Sequence, residues 1–185
     1  MIAYHPYRED SFALLPDDSI RISRYDHIPG QPALAIDGKQ RAIPGQPVDY
    51  GARFKEYIQS AMSESSFFDL RLSGKANPQQ CSVFVTGRKL DDSPGNANLR
   101  LYCVVTEDSL VDQLGGISDR VPRKFLPDVN GIPFLLTARL DSLADTLTFL
   151  PDNFRLDKLS VAAFVQDVSD SVAPIKQAAV LRRFY

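Results

Sequence analysis

The sequence contains few of the residues that thiol redox chemistry, histidine-based catalysis and membrane insertion require. Its 185 residues include two cysteines, two histidines and no tryptophan. Cys81 and Cys103 are too far apart for a Cys-x-x-Cys motif, and two cysteines are too few for a disulfide scaffold. No segment approaches the roughly 20 consecutive apolar residues of a membrane-spanning helix. The chain therefore carries neither a visible redox dithiol nor a predicted transmembrane helix.

The net charge is also small. Twenty-one basic and 23 acidic residues give a formal charge of −2. A surface that binds nucleic acid needs clustered Lys and Arg, and the longest basic cluster is Arg182-Arg183. With 44% hydrophobic and 24% charged residues, the composition is ordinary for a folded globular protein. We therefore predict a globular protein without a nucleic-acid partner.

The N-terminus shows no signal peptide, because Met1 is followed at once by Ile-Ala-Tyr-His-Pro. This predicts either a cytoplasmic protein or a chain that begins within a longer precursor.

The first third of the chain predicts short strands and helices. Residues 2–6 indicate a buried strand, and residues 17–25 a short helix. Residues 33–38 predict a strand that turns at Asp37-Gly38, with residues 39–43 as its return. The clearest helix starts at Asp49. Its apolar residues have helical spacing and form one stripe: Phe54, Tyr57, Ile58, Ala61 and Met62.

After Glu64 the apolar pattern changes from helical to alternating, which is typical of β-strands. We predict strands at residues 68–73, 81–86, 99–106, 134–140, 146–150, 159–166 and 177–184. Residues 114–131 show little periodicity and predict a long loop, with Gly115-Gly116 as a flexible turn. Strands at this spacing indicate a sandwich or a barrel. The chain is accordingly divided into residues 1–64 and residues 65–185.

The two cysteines leave three interpretations open. Each lies in a predicted strand on the side of its apolar neighbours, which favours two buried free thiols. If the strands at 81–86 and 99–106 formed a hairpin, Cys81 would lie opposite Cys103, and a structural disulfide could form between them, although cross-strand disulfides are often strained. Catalysis is the least favoured interpretation, because a redox thiol needs an exposed position with a lowered pKa. No catalytic residue is therefore assigned.

The two histidines offer a candidate pocket for a small ligand. His5 and His27 could line it together with Pro32, and Asp26 could join the histidines around a metal. The favoured interpretation is that the two histidines never meet, so no metal and no cofactor is predicted.

Acidic residues that follow the strand predicted at 99–106 form a second candidate site. Glu107-Asp108 and Asp112 could hold a cation, but acidic residues after a strand usually mark a solvated loop. The basic pair Arg123-Lys124 could instead pair with Glu107-Asp108.

Segments in both halves of the chain resemble known domains. In the first half these are His5-Pro6, Asp10-Ser11-Phe12, Arg21 with Tyr25, Pro29-Gly30-Gln31-Pro32-Ala33 and Asp37-Gly38. In the second half they are LYCVVTED at 101–108, VPRKFLP at 121–127 and LSVAAFVQD at 159–167. The first set resembles the back half of a thioredoxin-like domain. The second set resembles the C-terminal region of the twenty-eight-kilodalton outer-membrane protein family of bacteria, and together the two sets span most of the chain. Family members place a thioredoxin-like domain before an immunoglobulin-like β domain and are exported to the cell envelope.

The resemblance implies an α+β protein: a partial thioredoxin-like segment followed by an immunoglobulin-like antiparallel β-sandwich. Pro32 stands where thioredoxin-like domains carry a cis-proline. The family's first strand, first helix and Cys-x-x-Cys have no counterpart before Ile2. The sheet of the first segment would then have an open edge, which a protein partner or a second copy of the chain would complete.

The function that follows is a non-catalytic protein, located in the cell envelope or secreted, whose β-sandwich serves protein association. Two alternatives stay open. One is a thiol-disulfide oxidoreductase whose redox motif lies upstream of this chain. The other is a small-ligand-binding module that uses the pocket near His5, His27 and Pro32.

Overall fold

The computed structural model describes residues 34–38, 40–42, 50–91, 98–169 and 173–184, together with residues 2, 12, 17, 20 and 21. A helix α1 spans Tyr50–Ser63, and a short 3-10 helix spans Leu156–Lys158. The strands are β1 Leu34–Ile36, β2 Gln40–Ala42, β3 Phe68–Ala76, β4 Cys81–Lys89, β5 Leu99–Glu107, β6 Leu110–Val111, β7 Ile117–Ser118, β8 Val121–Leu126, β9 Ile132–Pro133, β10 Ser142–Phe149, β11 Leu159–Asp167 and β12 Ile175–Leu181. None of the helices in these ranges is long and apolar enough to cross a membrane.

The predicted hairpin and helix of the first segment are confirmed. Strands β1 and β2 pair antiparallel around Asp37 and Gly38, whose φ angles of 50° and 71° suit a tight hairpin turn. Helix α1 packs against both strands. The apolar stripe of α1 is only partly covered, because Ile58 and Met62 are 47% and 80% exposed.

Strands β3–β5 and β8–β12 form two antiparallel sheets that enclose one core, and β6 and β7 pair as a separate two-stranded sheet. The first sheet has the order β10-β4-β3, and the second has the order β12-β11-β5-β8, with β9 also paired to β5. Fully buried side chains from both sheets belong to one cluster, among them Val83, Val85, Leu101 and Val161. The alternating pattern predicted a sandwich or a barrel, and the two sheets around a shared core confirm a sheet-rich sandwich.

The outer face of the second sheet is buried as well, which explains why residues 101–105 in the middle of β5 are all apolar. Tyr102, Val104, Phe125 and Phe164 form a second cluster there, joined by the partly buried Ile2. Because both faces of β5 are covered, residues 101–105 form a continuous apolar run rather than an alternating pattern.

Arg21 fixes part of the N-terminal segment to this outer face. Its side chain is fully buried, and its guanidinium lies 4.2 Å from the ring centroid of Tyr102 and 5.2 Å from that of Phe164. Arg21 Nη2 donates a hydrogen bond of 2.8 Å to Gln166 Oε1, and Gln166 Nε2 donates to Ala173 O. Cation–π stacking and hydrogen bonding together offset the cost of burying this charge.

Two sequence-based predictions for the β region are wrong, and the hairpin on which a disulfide would have depended is absent. The strand predicted at 134–140 does not form. Asp141 Oδ2 accepts hydrogen bonds from the N–H groups of Thr137 and Ala138, and the chain turns there. The loop predicted at 114–131 contains β7 and β8. The hairpin between the strands that begin at Cys81 and Leu99 does not form, because β4 pairs with β3 and β10 instead.

Candidate functional site

A short hairpin, β6–β7, connects β5 to β8 and displays apolar side chains to solvent. Val111 and Ile117 are directly opposite each other in its register, so both side chains lie on one face. Their exposed fractions are 63% and 72%, and Leu114 at the tip is 97% exposed. Three large apolar side chains on one small hairpin are unusual, because soluble proteins normally scatter such residues singly.

The tip of the hairpin has a defined conformation. Asp112 Oδ1 accepts hydrogen bonds from the N–H groups of Leu114 and Gly116, at 2.7 and 2.8 Å. Asp112 N–H in turn donates to Gly116 O at 2.9 Å. Gly115 has a φ of +83°, a conformation that favours glycine. The sequence predicts a flexible turn at Gly115-Gly116, whereas hydrogen bonds to Asp112 hold this turn in one conformation.

The base of the hairpin is anchored by a buried carboxylate. Glu107 is only 2% exposed, and its Oε1 lies 2.9 Å from Arg155 Nε. Its Oε2 lies 3.3 Å from Arg123 Nε. Arg155 Nη2 also donates to the carbonyl oxygens of Asp108 and Ser109, at 2.6 and 2.8 Å. The segment that carries Arg155 is thereby tied to the hairpin.

A second set of contacts closes the base across the two strands of the hairpin. Arg120 Nε lies 3.1 Å from Asp108 Oδ1, which also accepts a hydrogen bond from Arg120 N–H. Ser109 N–H donates to Asp119 Oδ1 at 2.7 Å. Ser109 and Arg120 have φ angles of 58° and 60°, which cost non-glycine residues conformational energy. The charged contacts offset this cost.

Sequence reasoning found only part of this network. Pairing of Arg123 with Glu107 is confirmed, whereas the expectation of a solvated loop at Glu107 is wrong. A usable signal was present: Leu101, Cys103, Val105 and Glu107 alternate along β5 and therefore share its core face. Extending the strand predicted at 99–106 by one residue would have predicted that Glu107 is buried and therefore paired. Arg155 had no comparable signal.

The other candidate residues do not come together in the described part of the chain. His5, His27, Pro32 and Asp26 lie outside the described residues. Among the residues that are described, no group of three or more His, Cys, Asp or Glu side chains is arranged to hold a metal ion. Asp112, proposed for a cation site, is engaged by backbone N–H groups of its own hairpin.

Both cysteines are buried, as predicted, and both are free thiols. Cys81 lies in the first sheet and Cys103 in the second, so the hairpin that would have paired them is absent. Burial raises the pKa of both thiols above the usual value of 9.0, and it raises that of Cys103 to about 12 with a further contribution from Asp145. Neither thiol has the lowered pKa that redox catalysis requires.

We expect neither cysteine to react with Ellman's reagent in the folded protein at pH 8, and both to react in guanidinium chloride. The raised pKa also predicts that stability falls as the pH rises from 9 towards 12. In that range the unfolded thiol of Cys103 loses its proton while the folded thiol keeps it. Cys103→Ala should lose less stability over the same range. Rapid labelling of the folded protein would contradict the burial of the thiols.

Comparison with known proteins relates the fold to a bacterial protein. No protein-family profile matches the chain, and no curated protein matches it significantly. The structure is similar to HBP35 of Porphyromonas gingivalis, with a TM-score of 0.77 and 18% sequence identity. The alignment covers 91% of this chain and 58% of the HBP35 chain, so this chain spans a little over half the length of that protein. At this identity the similarity establishes a related fold alone.

Proposed function

We propose that the chain is a non-catalytic protein of the bacterial cell envelope whose β-sandwich associates with another protein. The observation that carries this proposal is the β6–β7 hairpin, which holds Val111, Leu114 and Ile117 in solvent on a constrained backbone. Exposing these side chains is unfavourable in water, and contiguous apolar exposure on soluble proteins usually marks an interaction site. Because the backbone of the hairpin is already fixed, less conformational entropy is lost when a partner binds.

The envelope location and the domain division belong to the same proposal. The likeness to HBP35 supports a bacterial protein of this fold, and the resemblance to the outer-membrane protein family supports export. We place a partial thioredoxin-like segment at residues 1–64 and an immunoglobulin-like sandwich at residues 65–185. The chain order supports the second assignment: β3 and β4 lie in one sheet, β5 and β8 in the other, β10 returns to the first, and β11 and β12 lie in the second.

The hairpin is a better contact surface than the β10 and β8 edges of the sandwich. At the β10 edge, Asp145 Oδ1 accepts a hydrogen bond from the N–H group of Thr146, which occupies a donor that an added strand would need. In β8, Pro122 has no N–H group to offer. A charged residue and a proline at edge strands both oppose strand addition.

The proposal is tested by native fractionation of cells that produce the protein. We expect the chain in the envelope fraction, in a complex larger than its own 20.6 kDa. Leu114→Asp should shift it to the monomer mass. Leu135→Asp is the matched control, because Leu135 is also highly exposed, at 77%, but lies outside the hairpin. Recovery of the wild-type chain as a cytoplasmic monomer would contradict the proposal.

A further inference from the structure

The shape and charge of the hairpin indicate what kind of protein it binds, provided that the proposed association function holds. We infer that the partner is a different protein with an apolar groove rimmed by Lys and Arg, into which the tip of the β6–β7 hairpin inserts. Val111, Leu114 and Ile117 would fill the groove, and the acidic residues of the hairpin would face its rim.

The convex shape of the tip argues for a groove. A stable interface buries about 800 Å² on each partner. Two hairpin tips that touched each other would bury only the outer parts of three side chains on each side. A groove contacts both faces and the end of the hairpin, and so covers more area. The geometry therefore favours insertion over contact between two identical tips.

The charge of the hairpin specifies the rim of the groove. Residues 108–120 contain three acidic residues, Asp108, Asp112 and Asp119, and one basic residue, Arg120, which gives 1 − 3 = −2. Asp119 lies near the base of the hairpin, and Asp112 lies beside its tip. Complementary potentials across an interface select the partner and its orientation. The same negative charge is repelled by anionic lipid surfaces, which disfavours insertion into a membrane.

Two concave surfaces of the described residues do not match the hairpin, which argues against a second copy that binds the hairpin at either of them. A cavity of about 360 Å³ contains Arg123 and Lys124. It also contains the carboxylates of Asp17, Asp128 and Asp152, which would repel an acidic hairpin. Burial and the charge of Asp128 raise the pKa of Asp17, which is consistent with this negative surrounding.

A second cavity, of about 400 Å³, lies over the outer face of β4 and β10. It is lined by Asp145 and by no Lys or Arg, so it has no basic rim.

Site-specific photo-crosslinking tests the inference. The full chain is produced in its native cells with p-benzoylphenylalanine at position 114, or at position 135 as the control. We expect an adduct with one other protein from position 114 and none of that adduct from position 135. The partner is then identified by mass spectrometry and purified, and its affinity for the unlabelled chain is measured.

The dissociation constants of variants then test whether the apolar tip and the acidic residues contribute to binding. Leu114→Asp should weaken binding at least tenfold, and Leu135→Asp less than twofold. Asp119→Asn keeps the oxygen that accepts the Ser109 N–H group but removes the charge. It should weaken binding two- to threefold at low salt and reduce the salt dependence. Binding that is unaffected by salt and by Asp119→Asn would overturn the basic rim.

Other outcomes would also overturn the inference. An adduct at twice the mass of the chain would identify a second copy as the partner. Because the chain has no tryptophan, Leu114→Trp introduces a single tryptophan at the tip, which is excited selectively over the seven tyrosines. A blue shift of its emission with phosphatidylcholine–phosphatidylglycerol vesicles would indicate a lipid surface. If the wild-type chain forms a complex but never crosslinks from position 114, the inference is rejected and the proposed association function is retained. If the wild-type chain is a monomer, both are rejected.

Discussion

Replacing Glu107 by alanine is expected to lower the free energy of unfolding by about 2–3 kcal/mol, because two arginines lose a buried partner. Arg123 and Arg155 are 27% and 45% exposed, so water can partly solvate them after the change. The expected loss is therefore below the upper range for a fully buried pair. Glu107→Gln keeps an acceptor for Arg155 without the charge and should cause a smaller loss. Urea denaturation measures both.

The matched control is Asp157→Ala. Asp157 is 77% exposed and lies 4.0 Å from Lys158, a surface pair of the kind that contributes little. We expect a change within about 0.5 kcal/mol. If Glu107→Ala were no more destabilising than Asp157→Ala, the hairpin would not be anchored by its buried carboxylate.

Leu101→Ala is expected to destabilise the sandwich by about 3 kcal/mol, because truncating a buried leucine removes apolar contacts and leaves a cavity. Leu101 is fully buried in β5 and belongs to the core that both sheets share. Leu135→Ala, at an exposed leucine, should change stability by less than about 0.5 kcal/mol. Equal effects of the two changes would contradict a shared core between the sheets.

Regular local patterns made much of the fold predictable. In β4, Cys81, Val83 and Val85 are buried while Phe84 and Thr86 are exposed. The sequence shows this alternation except at Phe84, which is apolar but lies on the exposed face. Asp37-Gly38 indicated a hairpin turn because both positions adopt positive φ. The apolar stripe of α1 likewise had clear helical spacing. Each of these signals depends on neighbouring residues alone.

Pairing partners and short strands were not predictable in this way. Strands β6 and β7 have two residues each, too few to show a period. Leu114 and β7 therefore fell inside the loop predicted at 114–131, and β6 lay in a stretch for which no strand was predicted. Phe134 and Leu136 alternate as in a strand and are both buried, but the hydrogen bonds of Asp141 turn the chain just beyond them. The contact between Glu107 and Arg155 joins residues 48 positions apart, and no local pattern predicts it.

The central claim is that the β6–β7 hairpin presents its apolar tip on a rigid backbone, and ¹⁵N relaxation of the free chain tests it most directly. Amides in a rigid backbone have order parameters near 0.85, and flexible ones fall below 0.6. We predict values of about 0.8 for Leu114 and Gly116, close to those of β5, and a decrease in Glu107→Ala. Order parameters below about 0.6 at these two amides in the wild-type chain would contradict a preformed docking hairpin.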